Sequence, residues 1–322
     1  MPTHPRTTIA RYSPILRLGC CICAIGCSFA ASASEKSCAQ SAAVVQVASG
    51  VYVRPGQAAV VFEGDRIANV GFVVGDRCVA VIDTGGSAAE GVALDCAIRK
   101  VTDRPVCYVI NTHVHPDHLL GNLAFSRPGV EFVGHAKLPR ALALRGDTYL
   151  ERAAAYEGRT LDDSTIVFPQ RTVTGTVQLD LGGTILSVRS HASAHTDHDL
   201  SVVVAGAKTA FLGDLVFLDY LPVIDGSING WIGELETLSR ESLHYVVPGH
   251  GPVHAAWPQA AAPTLEYLGE LRREVRQWIA SGGDIAAAQD KIVTSGLASW
   301  PLYDRHHRRN VAAAFAELEW ED

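Results

Sequence analysis

The chain has 322 residues, 48% of them hydrophobic and 19% charged, a globular composition that excludes a disordered or fibrous protein. Lys and Arg number 27 against 34 Asp and Glu, and no basic run offsets the net charge of −7. That balance argues against nucleic acid or an anionic membrane as the partner. In chain order, residues 1–33 read as a secretory signal peptide. Arg6, Arg11 and Arg17 give a basic start, Leu18 to Phe29 an apolar stretch too short for a stable span, and Ala31-Ser32-Ala33 a cleavage site. Cleavage leaves residues 34–322 as a periplasmic or secreted protein. Three arginines and no acidic residue depart, so the mature charge is about −10. Cys38, Cys78, Cys96 and Cys107 remain, either disulfide-bonded in a pairing the spacing does not fix or as buried thiols.

Short β-branched runs follow at Val44–Val53, Ala58–Phe62, Ile67–Val74 and Cys78–Ile82, separated by Gly, Asp and Pro. Ser87–Lys100 has helical character, Val106–Ile110 reads as a strand buried on both faces, Leu119–Phe125 as a short helix and Val130–Val133 as a strand. Pro139–Gly158, alanine-rich and charged, reads as an inserted helical element. Thr176–Leu181 and Thr184–Arg189 form a hairpin about Gly182-Gly183. Leu200–Val204, Thr209–Leu212 and Tyr245–Val247 are further strands, with Trp231–Arg240 helical between the last two. Beyond Pro258 the pattern is helical, notably Thr264–Ala280 and Asn310–Glu319. No later segment has transmembrane length. Strand clusters with outer helices, repeated in two halves, imply a sheet-on-sheet core covered by helices.

The strongest local signal is Asn111-Thr112-His113-Val114-His115-Pro116-Asp117-His118, directly after a buried strand. His113 and His115 share a side in extended backbone, and the Pro116 turn swings Asp117 and His118 toward a neighbouring point. One loop can thus serve two adjacent metals. Imidazole and carboxylate suit zinc, and also iron or manganese. His195, Asp214 and His250 each stand beside a strand: His195 before Leu200–Val204, Asp214 after Phe211-Leu212-Gly213, and His250 after Val247-Pro248-Gly249. Alone each is an ordinary turn residue; together they mark one edge of a sandwich.

In residue type, order and spacing this set resembles the metallo-β-lactamase superfamily, as does Ile82-Asp83-Thr84-Gly85. The resemblance covers about 44–255. It implies an αββα sandwich of the α/β class, with an inserted helical element and a helical C-terminal extension over 256–322. It further implies two zinc ions, iron being possible. His113, His115 and His195 would hold the first, Asp117, His118 and His250 the second, and Asp214 would bridge them. Asp117 and Asp83 are the implied catalytic residues, Asp83 by orienting a ligand unless it is only a turn carboxylate. Two divalent ions about 3.5–4 Å apart bring a shared water toward ionisation at neutral pH, so a bridging hydroxide would attack the substrate.

Departures narrow the subgroup. All four mature cysteines precede the His113 loop, so none can serve as a thiolate ligand at the Asp214 position. The run His195-Thr196-Asp197-His198-Asp199 does not continue as glyoxalase-II-like thioesterases do. Closer is the exported zinc metallohydrolase subgroup associated with quinoprotein systems. Its resemblance is carried by His195 to Leu200, Leu221 to Ser227 with Gly230-Trp231, and Arg309 to Phe315 with Leu318-Glu319-Trp320.

Hydrolysis of a small ester, thioester, amide or lactone is therefore expected, with a possible functional link to a quinoprotein (PQQ) dehydrogenase. Iron-dependent oxidoreductase (persulfide dioxygenase-like) chemistry, a non-catalytic accessory role beside the quinoprotein, and β-lactamase activity are the alternatives. Lactam turnover is expected to be poor, because Asp214 replaces a thiolate and no cation adjoins Asp214 or His250 in the sequence, Lys208 and Arg240 being the nearest that might reach. His198 is read as an exposed loop residue, its alternative being a spare ligand or proton carrier; His135 and His191 are read as loop histidines. Asp219, Asp225 and Trp231 line the mouth or serve turns and core.

Overall fold

The computed structural model describes residues 38, 44–57, 66–157 and 166–321. The expected signal segment 1–33 and the expected strand Ala58–Phe62 lie outside the described residues. Residues 41–322 form one contact unit, to which all the elements named here belong.

Two sheets carry the fold. The first runs β1(Val45–Ala48), β2(Val51–Arg54), β3(Val70–Val74), β4(Val79–Ile82), β5(Val106–Ile110), β6(Glu131–His135) and β7(Arg171–Val173) in spatial as well as chain order. The second runs β13(Ala255–Ala256), β12(Tyr245–His250), β11(Thr209–Phe217), β10(Leu200–Val204), β9(Ile185–Ser190) and β8(Thr176–Asp180). Alternation sets which face each residue covers. Ala80 and Ile82 of β4 point inward with Val188, Val202 and Phe211 of the facing sheet. Val79 and Val81 point outward onto Leu94 and Ile98 of α1(Ala88–Val101). The second sheet's outer face carries α4(Ile228–Leu238), α5(Ala262–Ala280) and α7(Tyr303–Leu318), packed through Trp231, Leu235, Tyr267, Leu271 and Phe315. Between α5 and α7 lies α6(Ile285–Lys291). The αββα order and the helical C-terminal extension are thus present. Each fully buried Val or Leu contributes about 1.5–3 kcal/mol. Dozens of such side chains fill these layers, so the core does not depend on the polar edge. No helix among the described residues is long and apolar enough to cross a membrane.

Local chemistry explains the boundaries. Ser87 caps α1 by accepting from the Glu90 N–H (3.2 Å), and Ser227 caps α4 by accepting from Gly230 (2.9 Å). The expected single strand Val44–Val53 is two strands, because Gly50 takes φ 69° and turns the chain into a β1–β2 hairpin. The inserted helix α3 runs Leu138–Glu157, and its apolar face rests on Val114, Leu119 and Leu120. The expected helix over Leu119–Phe125 divides into a short α2(Pro116–Leu119) and a 3-10 turn, Asn122–Phe125. Strand β11 does not stop at Leu212 but continues to Phe217, because Gly213 at φ 52° lets the ladder shift register and resume. Cys78, at the start of β4, and Cys107 of β5 form a disulfide with Cα atoms 5.9 Å apart, within the usual span.

Candidate metal centre

Five chain segments converge at one edge of the sandwich. Asp83 follows β4, His113 to His118 follow β5, His195 lies between β9 and β10, Asp214 sits inside β11, and His250 ends β12. The ligand-type atoms of His113, His115, His195 and Asp214 lie within 4.8 Å of one another, as do those of Asp117, His118 and His250. Asp214 faces both groups. Its Oδ2 is 3.4 Å from His195 Nε2 and 3.6 Å from His113 Nε2, while its Oδ1 is 3.1 Å from His118 Nε2 and 3.2 Å from His250 Nε2. Asp117 Oδ2 is 3.4 Å from both His118 Nε2 and His250 Nε2. Every residue the sequence assigns to the centre is brought together.

Glycines make the approach possible. A Cβ on Gly213 would lie 2.7 Å from Thr112 Oγ1, and one on Gly249 would overlap Asp214 Oδ1.

Each histidine is held from behind. His118 Nδ1 lies 2.8 Å from Asp83 Oδ2, and Asp83 also accepts from the Thr112 N–H and O–H at 2.8 Å each. His113 Nδ1 meets Thr112 Oγ1 at 3.0 Å, and His195 Nδ1 meets the Val223 carbonyl at 2.7 Å. His250 Nδ1 meets the Ile67 carbonyl at 3.1 Å and the Tyr220 hydroxyl. His115 is reversed: its Nε2 is bound to Asp225 Oδ2 at 3.1 Å, and its Nδ1 faces His195 Nε2 at 3.0 Å. The far nitrogen of every ring thus has an oxygen partner, which fixes the tautomer and aims the near nitrogen inward.

The inward atoms are under-satisfied. His113 Nε2, His118 Nε2 and Asp214 Oδ1 are buried with no hydrogen-bond partner, the 3.1 Å approach of the last two lacking hydrogen-bond direction. Burial pushes His113 well below the ordinary imidazole value, with His118 adding repulsion, and takes His195 to about 3. Burial also disfavours charge on His118, but Asp214, Asp117 and Asp83 outweigh it and raise that ring. Asp214 stays ionised because His250, His118 and His113 outweigh its burial. Orphaned imidazole nitrogens around a buried carboxylate are a donor set that fits borderline divalent cations such as zinc.

Several residues depart from expectation. His198, read as exposed, is 1% exposed and lies 2.8 Å from Thr196 Oγ1, outside both ligand groups. His135, read as a loop histidine, is the last residue of β6; His191 does lie in the loop after β9, buried and bound by Glu234 (2.9 Å) and Ser201 (2.8 Å). Trp231 is core, donating Nε1–H to the Leu215 carbonyl while its ring packs against His195. Asp219 is an exposed turn residue at φ 67°. Asp225 does reach the site, since it grips His115 along with Arg145 and Arg309. The cations that reach the site are not Lys208 and Arg240, the nearest to Asp214 and His250 in the sequence. Arg145, Arg152, Arg305 and Arg309 line a cavity of about 740 Å³ shared with His115, Asp117, His195, Asp214 and His250. Tyr220, against His250, is a site residue that the sequence does not signal, because an isolated Tyr beyond a strand has no local pattern.

Thr196, His198 and Asp199 form a buried polar chain. Thr196 Oγ1 is 2.6 Å from Asp199 Oδ1 and 2.8 Å from His198 Nδ1, and the Thr196 N–H donates to Asp199 Oδ2 at 2.8 Å. Burial pushes Asp199 up to about 8 and His198 down to about 4. Thr196 donates its hydroxyl to Asp199 Oδ1, and His198, kept neutral by burial, can donate from Nδ1 to that same hydroxyl. Because Asp199 titrates higher folded than unfolded, the folded state binds the extra proton between about pH 4 and pH 8, and stability falls as pH rises through that window. Asp199→Asn, which removes the titrating carboxyl, should therefore show a flatter melting temperature between pH 6 and pH 9 than the wild type. Equal slopes by calorimetry would refute the protonated carboxyl.

Comparison with known proteins places these features in context. The sequence profile of the metallo-beta-lactamase superfamily matches residues 64–250, more than half of the chain. A human protein, metallo-beta-lactamase domain-containing protein 1, is 28% identical over 204 residues, covering 60% of this chain and 66% of its own, just short of two thirds of that relative. Among solved structures, a metallo-beta-lactamase from Pontibacter korlensis superposes with a TM-score of 0.58 at 22% identity, covering 70% of this chain and 98% of that one. The sec-alkylsulfatase Pisa1 from Pseudomonas sp. gives a TM-score of 0.68 at 14% identity over 89% of this chain, which spans about half (52%) of the sulfatase. At these identities the two structures establish the fold alone.

Proposed function

The chain belongs to the metallo-β-lactamase superfamily, and on that premise we propose that it is an exported binuclear metal-dependent hydrolase of small esters, thioesters, amides or lactones. The carrying observation is the pair of ligand groups sharing Asp214, with all five histidines oriented from behind. His113, His115 and His195 would hold one zinc, Asp117, His118 and His250 the other, and Asp214 both. When bound, such a pair supplies an ionised water and Lewis acidity at the scissile group.

The residues supply the rest. Asp83, Asp225 and the Val223 carbonyl keep three rings in position through the reaction. Asp117 lines the cavity and is the carboxylate placed to pass a proton from the attacking water to the departing alkoxide, thiolate or amine. Phe217, Tyr220 and Val223 form an apolar wall that excludes bulk water on one side. The Cys78–Cys107 disulfide suits an oxidising compartment and so supports export. The link to a quinoprotein dehydrogenase rests on the Leu221–Ser227 and Arg309–Phe315 stretches. These meet physically, because Asn310 accepts from the Ile224 N–H (2.9 Å) and donates to the Pro222 carbonyl (2.7 Å).

The test is elemental analysis of protein purified from the periplasm, paired with an ester, thioester and lactam panel. About two zinc ions per chain are expected, with activity lost on chelation and restored by zinc. An iron-loaded protein that consumes oxygen, or hydrolysis that survives metal removal, would overturn the reading.

A further inference from the structure

The cavity above the centre has a sided chemistry. Its outer wall comes from two helices at helical spacing. Leu144, Arg145, Thr148, Tyr149 and Arg152 recur on one face of α3, and Arg305 and Arg309 stand one turn apart on α7. The α7 helix lies wholly beyond the stretch matched by the family profile, which ends at residue 250. Four guanidiniums on the mouth of a chain whose net charge is −7 form a local reversal of sign.

They are not equivalent. Arg145 and Arg309 converge on the same carboxylate, Asp225, which also binds His115. Burial disfavours charge on Arg145, but the Asp225 and Tyr149 contacts outweigh it and lock that guanidinium in place. Arg152 lies two helical turns further along the same face, about 10 Å along the axis. It is exposed, lines the cavity and has no ion pair among the described residues. Arg305 brings a second exposed guanidinium to the same mouth. The same cavity is also lined by apolar side chains, among them Leu120, Leu144, Phe217 and Val223. A volume of about 740 Å³ suits an organic molecule rather than a bare ion.

From Arg152 and Arg305 lining the same cavity as the ligand groups and several apolar side chains, we infer that the substrate is amphipathic, with a terminal oxyanion held at the α3–α7 mouth and an apolar body leading to the scissile bond. This rests on the hydrolytic reading for the reaction and on the cavity alone for the anion. Arg152 and Arg305 are binding residues; the Arg145–Asp225–Arg309 cluster is their fixed base.

The test uses zinc-loaded full-length protein and three 4-nitrophenyl esters of equal chain length: hexanoate, hydrogen adipate and 6-sulfohexanoate. The anionic esters should be preferred over the neutral one in kcat/KM by about tenfold or more, the scale of a hydrogen bond to a charged group. Preference for only one of them identifies the head group as carboxylate or sulfonate-like. Arg152→Ala and Arg305→Ala should each pull the anionic-to-neutral ratio toward unity, and Arg152→Lys should restore part of it. A second readout needs no turnover. The fluorescent sulfonate 8-anilinonaphthalene-1-sulfonate should bind the wild type about tenfold more tightly than the double Arg→Ala variant, whereas uncharged N-phenyl-1-naphthylamine should not distinguish them. A wild-type ratio near one, or sulfonate binding indifferent to both arginines, overturns the inference even if ester hydrolysis is brisk. Arginine-dependent sulfonate binding with no ester cleaved supports the anion site and sinks the hydrolytic reading instead.

Discussion

Asp214→Ala should reduce kcat/KM by about 10³-fold or more, beyond the roughly 10–100-fold typical of outer partners, and should leave less than one tightly bound metal per chain. Among the described residues, Asp214 is the only side chain whose two oxygens face separate ligand groups, Oδ2 toward His195 and Oδ1 toward His118 and His250. Without it, two divalent cations would sit close together with one carboxylate, Asp117, to offset them. The fold should survive, because the apolar layers on either side of both sheets make no use of Asp214. Asp214→Asn separates charge from shape. An amide has one acceptor oxygen, so it can serve one group only, and stoichiometry should fall toward one. Elemental analysis beside a thermal melt decides the matter. Full occupancy in Asp214→Ala with a normal melt would show that this carboxylate does not bridge.

The second large effect concerns stability. Asp83→Ala should destabilise the protein by about 3–5 kcal/mol, since it strands the Thr112 N–H, the Thr112 O–H and the His118 Nδ1–H in a buried setting where each unmet group costs about 1–3 kcal/mol. Alanine is also less at home than aspartate at the left-handed φ of 57°. Metal affinity should fall about 10–100-fold at the group containing His118, whose ring loses its orientation. Asp83→Asn offers a partial rescue. Its amide oxygen can keep the His118 and Thr112 hydroxyl contacts only by turning its NH₂ onto the Thr112 N–H. Asn should therefore recover metal affinity more than stability. Chemical denaturation and competitive zinc titration measure the two separately; equal recovery of both would contradict this division of roles.

The centre was legible in the sequence because its ligands come in short runs at strand exits. The His113–His118 loop announces itself by spacing, and Asp214 and His250 by Gly-flanked positions after apolar strands. What escaped has physical reasons. The extension of β11 past Leu212 depends on Gly213 absorbing a register shift, whereas a Gly-Asp pair ordinarily reads as a stop. β7 is three residues long and offers no periodicity to detect. His198 looked exposed because a His between two aspartates reads as a wet loop; burial follows only from the fold around Thr196 and Asp199. The four mouth arginines, seven apart on α3 and four apart on α7, read as solvated faces, and nothing local says that two such faces meet over a cavity. Asp225 appears as an ordinary Asp-Gly turn until Arg145 and Arg309, 80 and 84 positions away, converge on it.

The contact between α7 and the Pro222–Asp225 loop bears on the timing of assembly. Asn310 pins the loop that carries both the Val223 carbonyl behind His195 and the Asp225 carboxylate behind His115. Yet α7 follows His250 by more than fifty positions. A polypeptide delivered from its amino end exposes all seven ligand-type residues well before Asn310 arrives. A nascent chain lacking that helix therefore holds the right side chains with two imidazoles unaimed. On the proposed reading, capture of the metal pair would then be a late event that waits for the final helix.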